Sequence, residues 1–67
     1  MPEVVVYAVE GRSPEQKKAL FKDITEAVVK HFNAPREAVV VSIMETPRAN
    51  KAKGGVAFTD LVAAKPT

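Results

Sequence analysis

Two short apolar runs, at residues 3–9 and 38–45, flank one long segment with helical periodicity, and this order leaves few folds open to the chain. The first run holds four valines and a tyrosine, and the second holds three valines, an isoleucine and a methionine. Such residues favour strands, and apolarity that is continuous rather than alternating indicates strands covered on both faces. Two strands joined through a helix form a β-α-β unit with a right-handed crossover, so we expect a parallel α/β pair.

The segment between the runs carries signals for both ends of a helix. Ser13 can serve as the N-cap, Pro14 suits the first helical position, and Gln16 completes a capping box with Ser13. The pattern ends before Pro35, because the residue preceding a proline avoids helical geometry. Lysines, Lys17 among them, fall mainly outside the apolar stripe, which consists of Leu20, Phe21, Ile24, Ala27, Val28, Val29 and Phe32. We therefore predict one long helix over 14–32.

The small size of the chain makes self-association the expected source of stability. Its 67 residues, 1–67, suffice for one domain, and a core of that size is marginal when alone. The absence of cysteine excludes disulfides and thiolate metal sites, and the lone His31 cannot build a metal site by itself. A two-stranded sheet with one helix leaves a face and two edges uncovered. We expect a symmetric homo-oligomer.

The residues after the second run are predicted to form a polar loop, a short β segment and a tail. The loop over 48–55 carries Arg48, Lys51 and Lys53 and ends in a glycine pair. The residues of 56–58 predict a short strand, which would be able to pair with a neighbouring chain in an oligomer. Residues 60–67 are predicted to be a loosely held tail.

Composition and charge narrow the choice of partners. No apolar stretch approaches the ~20 residues of a membrane helix, and the chain does not open with a basic region followed by an apolar one, as a secretory signal does. We expect a soluble, cytoplasmic protein without a membrane partner. The net charge of +2 is too small to indicate nucleic acid by itself.

Pro2 directly follows the initiator methionine and directly precedes the first apolar run. Removal of Met1, which is usual before a small residue, turns the Pro2 nitrogen into a secondary amine that can accept and release a proton. Taken alone, the position favours a simple strand cap, because a missing N–H does no harm there. A proton shuttle works best with a pKa near ambient pH. An apolar pocket or a nearby cation would therefore have to lower the pKa of this amine.

Several short motifs occur in order along nearly the whole chain. They are Pro2 at the first strand, Glu10-Gly11-Arg12-Ser13 with Glu15-Gln16-Lys17, Ala34-Pro35 before the second strand, and Gly54-Gly55 near the end. Together they resemble the 4-oxalocrotonate tautomerase family, without a gap through the glycine pair. The resemblance implies a β-α-β unit that dimerises into a four-stranded sheet. It further implies a hexamer of three dimers, with a dimer or a trimer as alternatives.

The resemblance also implies a function and two catalytic residues. The function is a cofactor-independent isomerase that performs keto–enol or allylic tautomerisation of an unsaturated 2-oxo acid, as in the degradation of aromatic compounds. Pro2 matches the amino-terminal proline that acts as general base. Arg12 matches the arginine that binds a substrate carboxylate and stabilises the developing enolate, a task suited to a guanidinium.

The chain departs from the family pattern at two positions. Val40 stands where the best-known members carry a second arginine, and Lys51 stands where they carry an aromatic residue. Arg48, Lys51 or Lys53 are candidates to replace the lost charge, and Phe58 is a candidate for the apolar wall around Pro2. The expected substrate is 2-hydroxymuconate-like or arylpyruvate-like, and the second applies if Val40 means that the site binds one carboxylate rather than two.

A non-catalytic role is the alternative. An oligomeric module of this kind could bind anions or nucleic acid through the loop from Arg48 to Lys53, since three cations in six residues can contact phosphates. No aromatic platform accompanies them, which makes nucleic acid the weaker hypothesis. The state of the Pro2 nitrogen and an assay of enol-to-keto conversion discriminate between the two functions.

Overall fold

The computed structural model describes residues 1–61, so most of the predicted tail lies outside the described residues. The elements follow in the order strand β1 (Glu3–Val9), helix α1 (Pro14–Phe32), a 3-10 turn (Arg36–Ala38), strand β2 (Val40–Thr46), a 3-10 turn (Arg48–Asn50), strands β3 (Ala52–Lys53) and β4 (Val56–Ala57), and a 3-10 turn (Phe58–Asp60). The predicted first strand and helix are confirmed to the residue.

The second strand begins two residues later than predicted and ends one residue later, at Thr46. The cause is local: after Pro35 the chain tightens into a 3-10 turn, in which the Ala38 amide donates to the Pro35 carbonyl at 3.0 Å. The first two residues of the apolar run therefore belong to this turn and its exit. The predicted helix start is confirmed in detail, with both hydrogen bonds of the capping box between Ser13 and Gln16.

Strands β1 and β2 pair in parallel, which confirms the predicted β-α-β unit. The register runs from Glu3 beside Val40 to Val9 beside Thr46. Because side chains of a strand alternate between faces, the two strands present two different surfaces. One face lies towards α1 and carries Val6 and Ile43.

The opposite face of this sheet is not covered by any element within residues 1–61. We call it the open face and define it by four side chains, Val5, Tyr7, Val40 and Met44, which are 43%, 75%, 37% and 53% exposed. Tyr7 and Met44 are register partners, so they form one continuous apolar patch. Among residues 1–61 no side chain is fully buried, and even the sheet-facing helix positions are only half-buried. One copy of the chain thus lacks a closed core.

Strands β3 and β4 form a small antiparallel hairpin, with Ala52 opposite Ala57 and Lys53 opposite Val56. Gly54 and Gly55 both have positive φ, +60° and +83°, which is the requirement of a tight two-residue hairpin turn. The predicted short strand ends one residue earlier than expected, at Ala57, and pairs with β3 of its own chain. A local turn closes this pairing at little entropic cost, whereas an intermolecular strand needs a second chain. Pairing of the other edge of β4 with a neighbouring copy stays a prediction.

Candidate active site

Pro2 lies at the N-terminal end of β1, beside the start of β2. The Val40 amide donates to the Pro2 carbonyl at 3.0 Å, so two of the predicted site residues are neighbours. Met1 is 91% exposed, and its peptide bond occupies the Pro2 nitrogen. Removal of Met1 would leave the Pro2 carbonyl contact intact. The sheet therefore holds this proline in place independently of what is attached to its nitrogen.

Arg12 lies beyond the other end of β1, in a groove between the sheet and the first turns of α1. This Arg12 groove has a volume of about 210 Å³. Its walls are formed by Val6, Ala8, Arg12, Gln16, Lys17, Leu20, Ile43 and Glu45. The floor is aliphatic and the rim is charged, an arrangement that suits a small amphipathic anion.

An ion pair crosses this groove. Lys17 Nζ donates to Glu45 Oε1 at 2.6 Å and joins α1 to the end of β2, with both side chains nearly three-quarters covered. By contrast, Arg12 makes no side-chain hydrogen bond or salt bridge within residues 1–61. The groove thus contains one neutralised carboxylate and one guanidinium without a carboxylate partner in the described chain.

Lys17 is predicted from the sequence to lie outside the apolar stripe of α1. The structure places it on the sheet-facing side of α1, where it is half-buried together with Phe21, Ile24 and Val28. Positions 17, 21, 24 and 28 follow helical spacing, so the signal was present in the sequence. A charged residue that continues an apolar stripe indicates a partner across the interface, which here is Glu45.

Pro2 and Arg12 lie at opposite ends of a seven-residue strand. At ~3.3 Å per residue such a strand spans about 23 Å. One small substrate cannot contact both residues of the same chain. The two predicted catalytic residues are therefore not brought together within a single copy.

Three other predicted site residues, Arg48, Lys51 and Phe58, lie close together beside the β3–β4 hairpin. The Arg48 guanidinium carbon and Lys51 Nζ lie 6.0 Å and 5.9 Å from the centre of the Phe58 ring, within the range of cation–π attraction. Arg48 Nη2 also donates to the Phe58 carbonyl at 3.2 Å, and the Phe58 amide donates to the Lys51 carbonyl at 2.8 Å. None of the three lines the Arg12 groove. Arg48 and Lys51 thus both lie beside the Phe58 ring, and neither has a carboxylate partner within residues 1–61. Their use as an anion-binding patch stays a prediction.

No group of three or more histidine, aspartate or glutamate side chains within residues 1–61 is placed to hold a metal ion. Among the helices of that same range, none has the length and apolarity needed to cross a bilayer.

Comparison with known proteins identifies the family. The family model for tautomerase enzymes matches residues 2–61. The chain belongs to the tautomerase family. The matched residues begin at Pro2 and include Arg12, Val40 and Phe58.

Relatives and solved structures agree with that assignment. A probable tautomerase from Bradyrhizobium diazoefficiens is 45% identical over 64 residues, covering 96% of each chain. A 4-oxalocrotonate tautomerase isozyme from Methylibium petroleiphilum superposes with a TM-score of 0.84 at 38% identity, covering 91% of this chain and 98% of the other. A heterohexamer 4-oxalocrotonate tautomerase from Chloroflexus aurantiacus gives a TM-score of 0.83 at 31% identity, covering 91% and 98%. The predicted resemblance and β-α-β fold are confirmed.

Proposed function

We propose that this tautomerase is an oligomeric isomerase that converts enol and keto forms, or allylic isomers, of an unsaturated 2-oxo acid. The Pro2 nitrogen acts as general base after removal of Met1, and Arg12 binds the substrate carboxylate. The observation that carries the proposal is the attachment of Pro2: its carbonyl is fixed to Val40 while Met1 remains exposed to a processing enzyme. Processing therefore yields an amine that is already positioned.

The catalytic step requires no group besides these side chains. The free amine accepts the proton of the enol hydroxyl as the C2–O bond becomes a carbonyl. The ammonium so formed delivers this proton to C3, where the electron pair of the C=C bond forms the new C–H bond and the free amine is regenerated. In the reverse direction the amine removes a C3 proton, and negative charge develops on the C2 oxygen. A guanidinium beside the carboxylate stabilises that charge. The mechanism requires apolar surroundings or a nearby cation that would bring the pKa of the amine towards neutrality.

The active site in this proposal lies between copies of the chain. Because Pro2 and Arg12 of one copy are about a strand length apart, Pro2 of one copy and Arg12 of another must face the same substrate. The open face and the two free strand edges offer surfaces for such assembly. We propose a dimer with a four-stranded sheet, assembled further into a hexamer. The heterohexamer from Chloroflexus aurantiacus supports an assembly of this kind.

The proposed substrate carries one carboxylate and an apolar group, as an arylpyruvate does. Val40 supports this choice, because an uncharged side chain next to Pro2 offers nothing for a second carboxylate. An aryl group fits an aliphatic environment better than a second anion does, since an unpaired buried charge is costly. Phe58 remains a proposed part of the apolar wall, contributed by a neighbouring copy.

The experiment combines mass spectrometry with a kinetic assay. Intact mass first establishes that Met1 is gone, and enol-to-keto conversion of phenylpyruvate is then followed by absorbance. Pro2→Ala keeps a processed amino terminus but loses the secondary amine, and we expect kcat to fall ~10²- to 10⁴-fold, the usual contribution of a general base. A variant with glutamate inserted between Met1 and Pro2 retains its methionine and should be equally impaired.

Both variants must keep the oligomeric state of the wild type for the comparison to hold. Wild-type turnover in the Pro2→Ala protein would disprove the role of the proline. A processed wild-type protein without activity on any enol or unsaturated oxo acid would instead favour the anion-binding module. That alternative would be identified by salt-dependent binding of an anion or a nucleic acid that is lost in an Arg48→Ala, Lys51→Ala double variant.

A further inference from the structure

The Arg12 groove holds three charged side chains with unequal roles. Lys17 and Glu45 are paired at 2.6 Å, whereas Arg12 has no partner within residues 1–61. Together the three carry a net charge of +1. Glu45 is the register partner of Ala8, which also lines the groove, so its carboxylate is presented on the same side of the sheet as the guanidinium.

We infer that Lys17 is a positioning residue: by pairing with Glu45 it prevents this carboxylate from occupying Arg12, and so keeps Arg12 available for a single substrate carboxylate. The inference rests on the proposed function and extends it to substrate selection. Neither the family match nor the motifs of the sequence assign a role to this pair. It follows from the distance, the shared groove and the absence of a partner for Arg12 in the described chain.

The physical reason is competition within the chain. A carboxylate tethered within reach of a guanidinium competes with a free carboxylate at an effective concentration on the order of millimolar. An unrestrained Glu45 would therefore raise the substrate concentration needed to occupy Arg12. Lys17 and Glu45 are each less than a third exposed, so solvent screens their pairing less than that of surface ions. The pair is therefore well placed to resist exchange with Arg12.

The test is a double-mutant cycle on the processed enzyme. Lys17→Met leaves Glu45 unpaired, and we expect KM for phenylpyruvate to rise about tenfold with kcat within about twofold, as for loss of uniform binding. Adding Glu45→Gln removes the competitor and should return KM to within about threefold of wild type. Glu45→Gln alone gives the groove a net charge of +2 and should lower KM for the dicarboxylate 2-hydroxymuconate.

Lys18→Met is the matched control, because Lys18 is an exposed neighbour that does not line the groove. It changes the net charge of the protein by the same amount as Lys17→Met. The side-chain Nε–H signal of Arg12 in NMR reports the pairing directly. We expect it to shift in Lys17→Met without ligand, to return in the double variant, and to be unchanged in Lys18→Met.

The inference would be overturned by equal KM values in the two lysine variants, by a double variant as impaired as Lys17→Met, or by an Arg12 signal that is unchanged in Lys17→Met. Calorimetric titration with benzoate separates this test from the proposed reaction. If the processed wild type had no turnover, the isomerase proposal would fail. Weaker binding of benzoate by Lys17→Met, restored in the double variant, would still support the role of Lys17. Benzoate binding unaffected by Arg12→Ala would refute it.

Discussion

The two faces of the β1–β2 sheet are built from alternating residues of the same strands, yet they differ in what covers them. The face towards α1 forms the Arg12 groove, closed by an ion pair between helix and strand. The open face presents Val5, Tyr7, Val40 and Met44 and is not covered by any element within residues 1–61. The difference separates the proposed recognition from the proposed assembly: residues of one chain line the Arg12 groove, whereas in our proposal another copy covers the open face and completes the surroundings of Pro2.

Met44→Lys tests this contrast with the largest expected effect. If the open face is covered by another copy, the variant buries an unpaired ammonium, which costs several kcal/mol. We expect loss of the oligomer in size-exclusion chromatography with light scattering, accompanied by loss of helical circular dichroism. Lys22→Glu, an exposed change on the helix, should leave the assembly intact. An intact Met44→Lys oligomer would mean that the open face is not an interface.

Arg12→Ala tests the other face and should act on binding without disturbing assembly. A hydrogen bond to a charged group contributes ~1.5–3 kcal/mol, so kcat/KM should fall about 10- to 150-fold. Arg12→Lys keeps the charge but loses the bidentate geometry and should recover only part of the activity. Unchanged kinetics in Arg12→Ala, with a normal oligomer, would remove Arg12 from the site.

The smallest effect is expected away from both faces, at the pair formed by Arg36 and Glu26. Arg36 donates to Glu26 at 2.9 Å and 3.1 Å, and this hydrogen bonding lowers the pKa of the Glu26 carboxyl from its ordinary value of 4.5. A lowered folded-state pKa contributes stability above the unfolded-state pKa, and this contribution is lost as pH falls through the folded-state value. Glu26→Gln should therefore melt slightly below wild type at pH 7.

The same melting comparison at lower pH tests the direction of the pKa shift of Glu26. The two proteins should converge in Tm once the pH lies below the lowered pKa of Glu26, because the carboxyl is then neutral in both states. The effect is small because the pair is solvent-exposed. A difference that grows with falling pH would contradict the assignment of Arg36 as the cause.

Local signals made α1 and β1 predictable to the residue. The capping box of Ser13 and Gln16 and the proline after the helix act within a few residues, so no tertiary information was needed. The start of β2 was less predictable from the sequence, because the apolar run continues through a 3-10 turn that periodicity does not reveal. The hairpin pairing of β4 was also missed, although Gly54-Gly55 is a turn signal.

The candidate site was predictable only as a set of residues. Pro2 and Arg12 stood out through the family motifs, and the predicted strand over 3–9 already separated them. The groove in which Arg12 lies was not predictable, because the packing of α1 on the sheet forms it. The ion pair of Lys17 and Glu45 joins residues 28 positions apart, on a helix and a strand. Such a contact depends on how the helix packs on the sheet.

The sequence by itself determined the elements of this tautomerase, its family and the two candidate catalytic residues, because caps, periodicity and motifs are local properties of the chain. Only the tertiary structure decided which side chains share a surface. The parallel register directs Glu45 to Lys17 and leaves Arg12 unpaired within the described residues, and strand alternation sends Tyr7 and Met44 to the open face. These outcomes depend on packing between distant segments, where a shift of one residue would exchange the two faces.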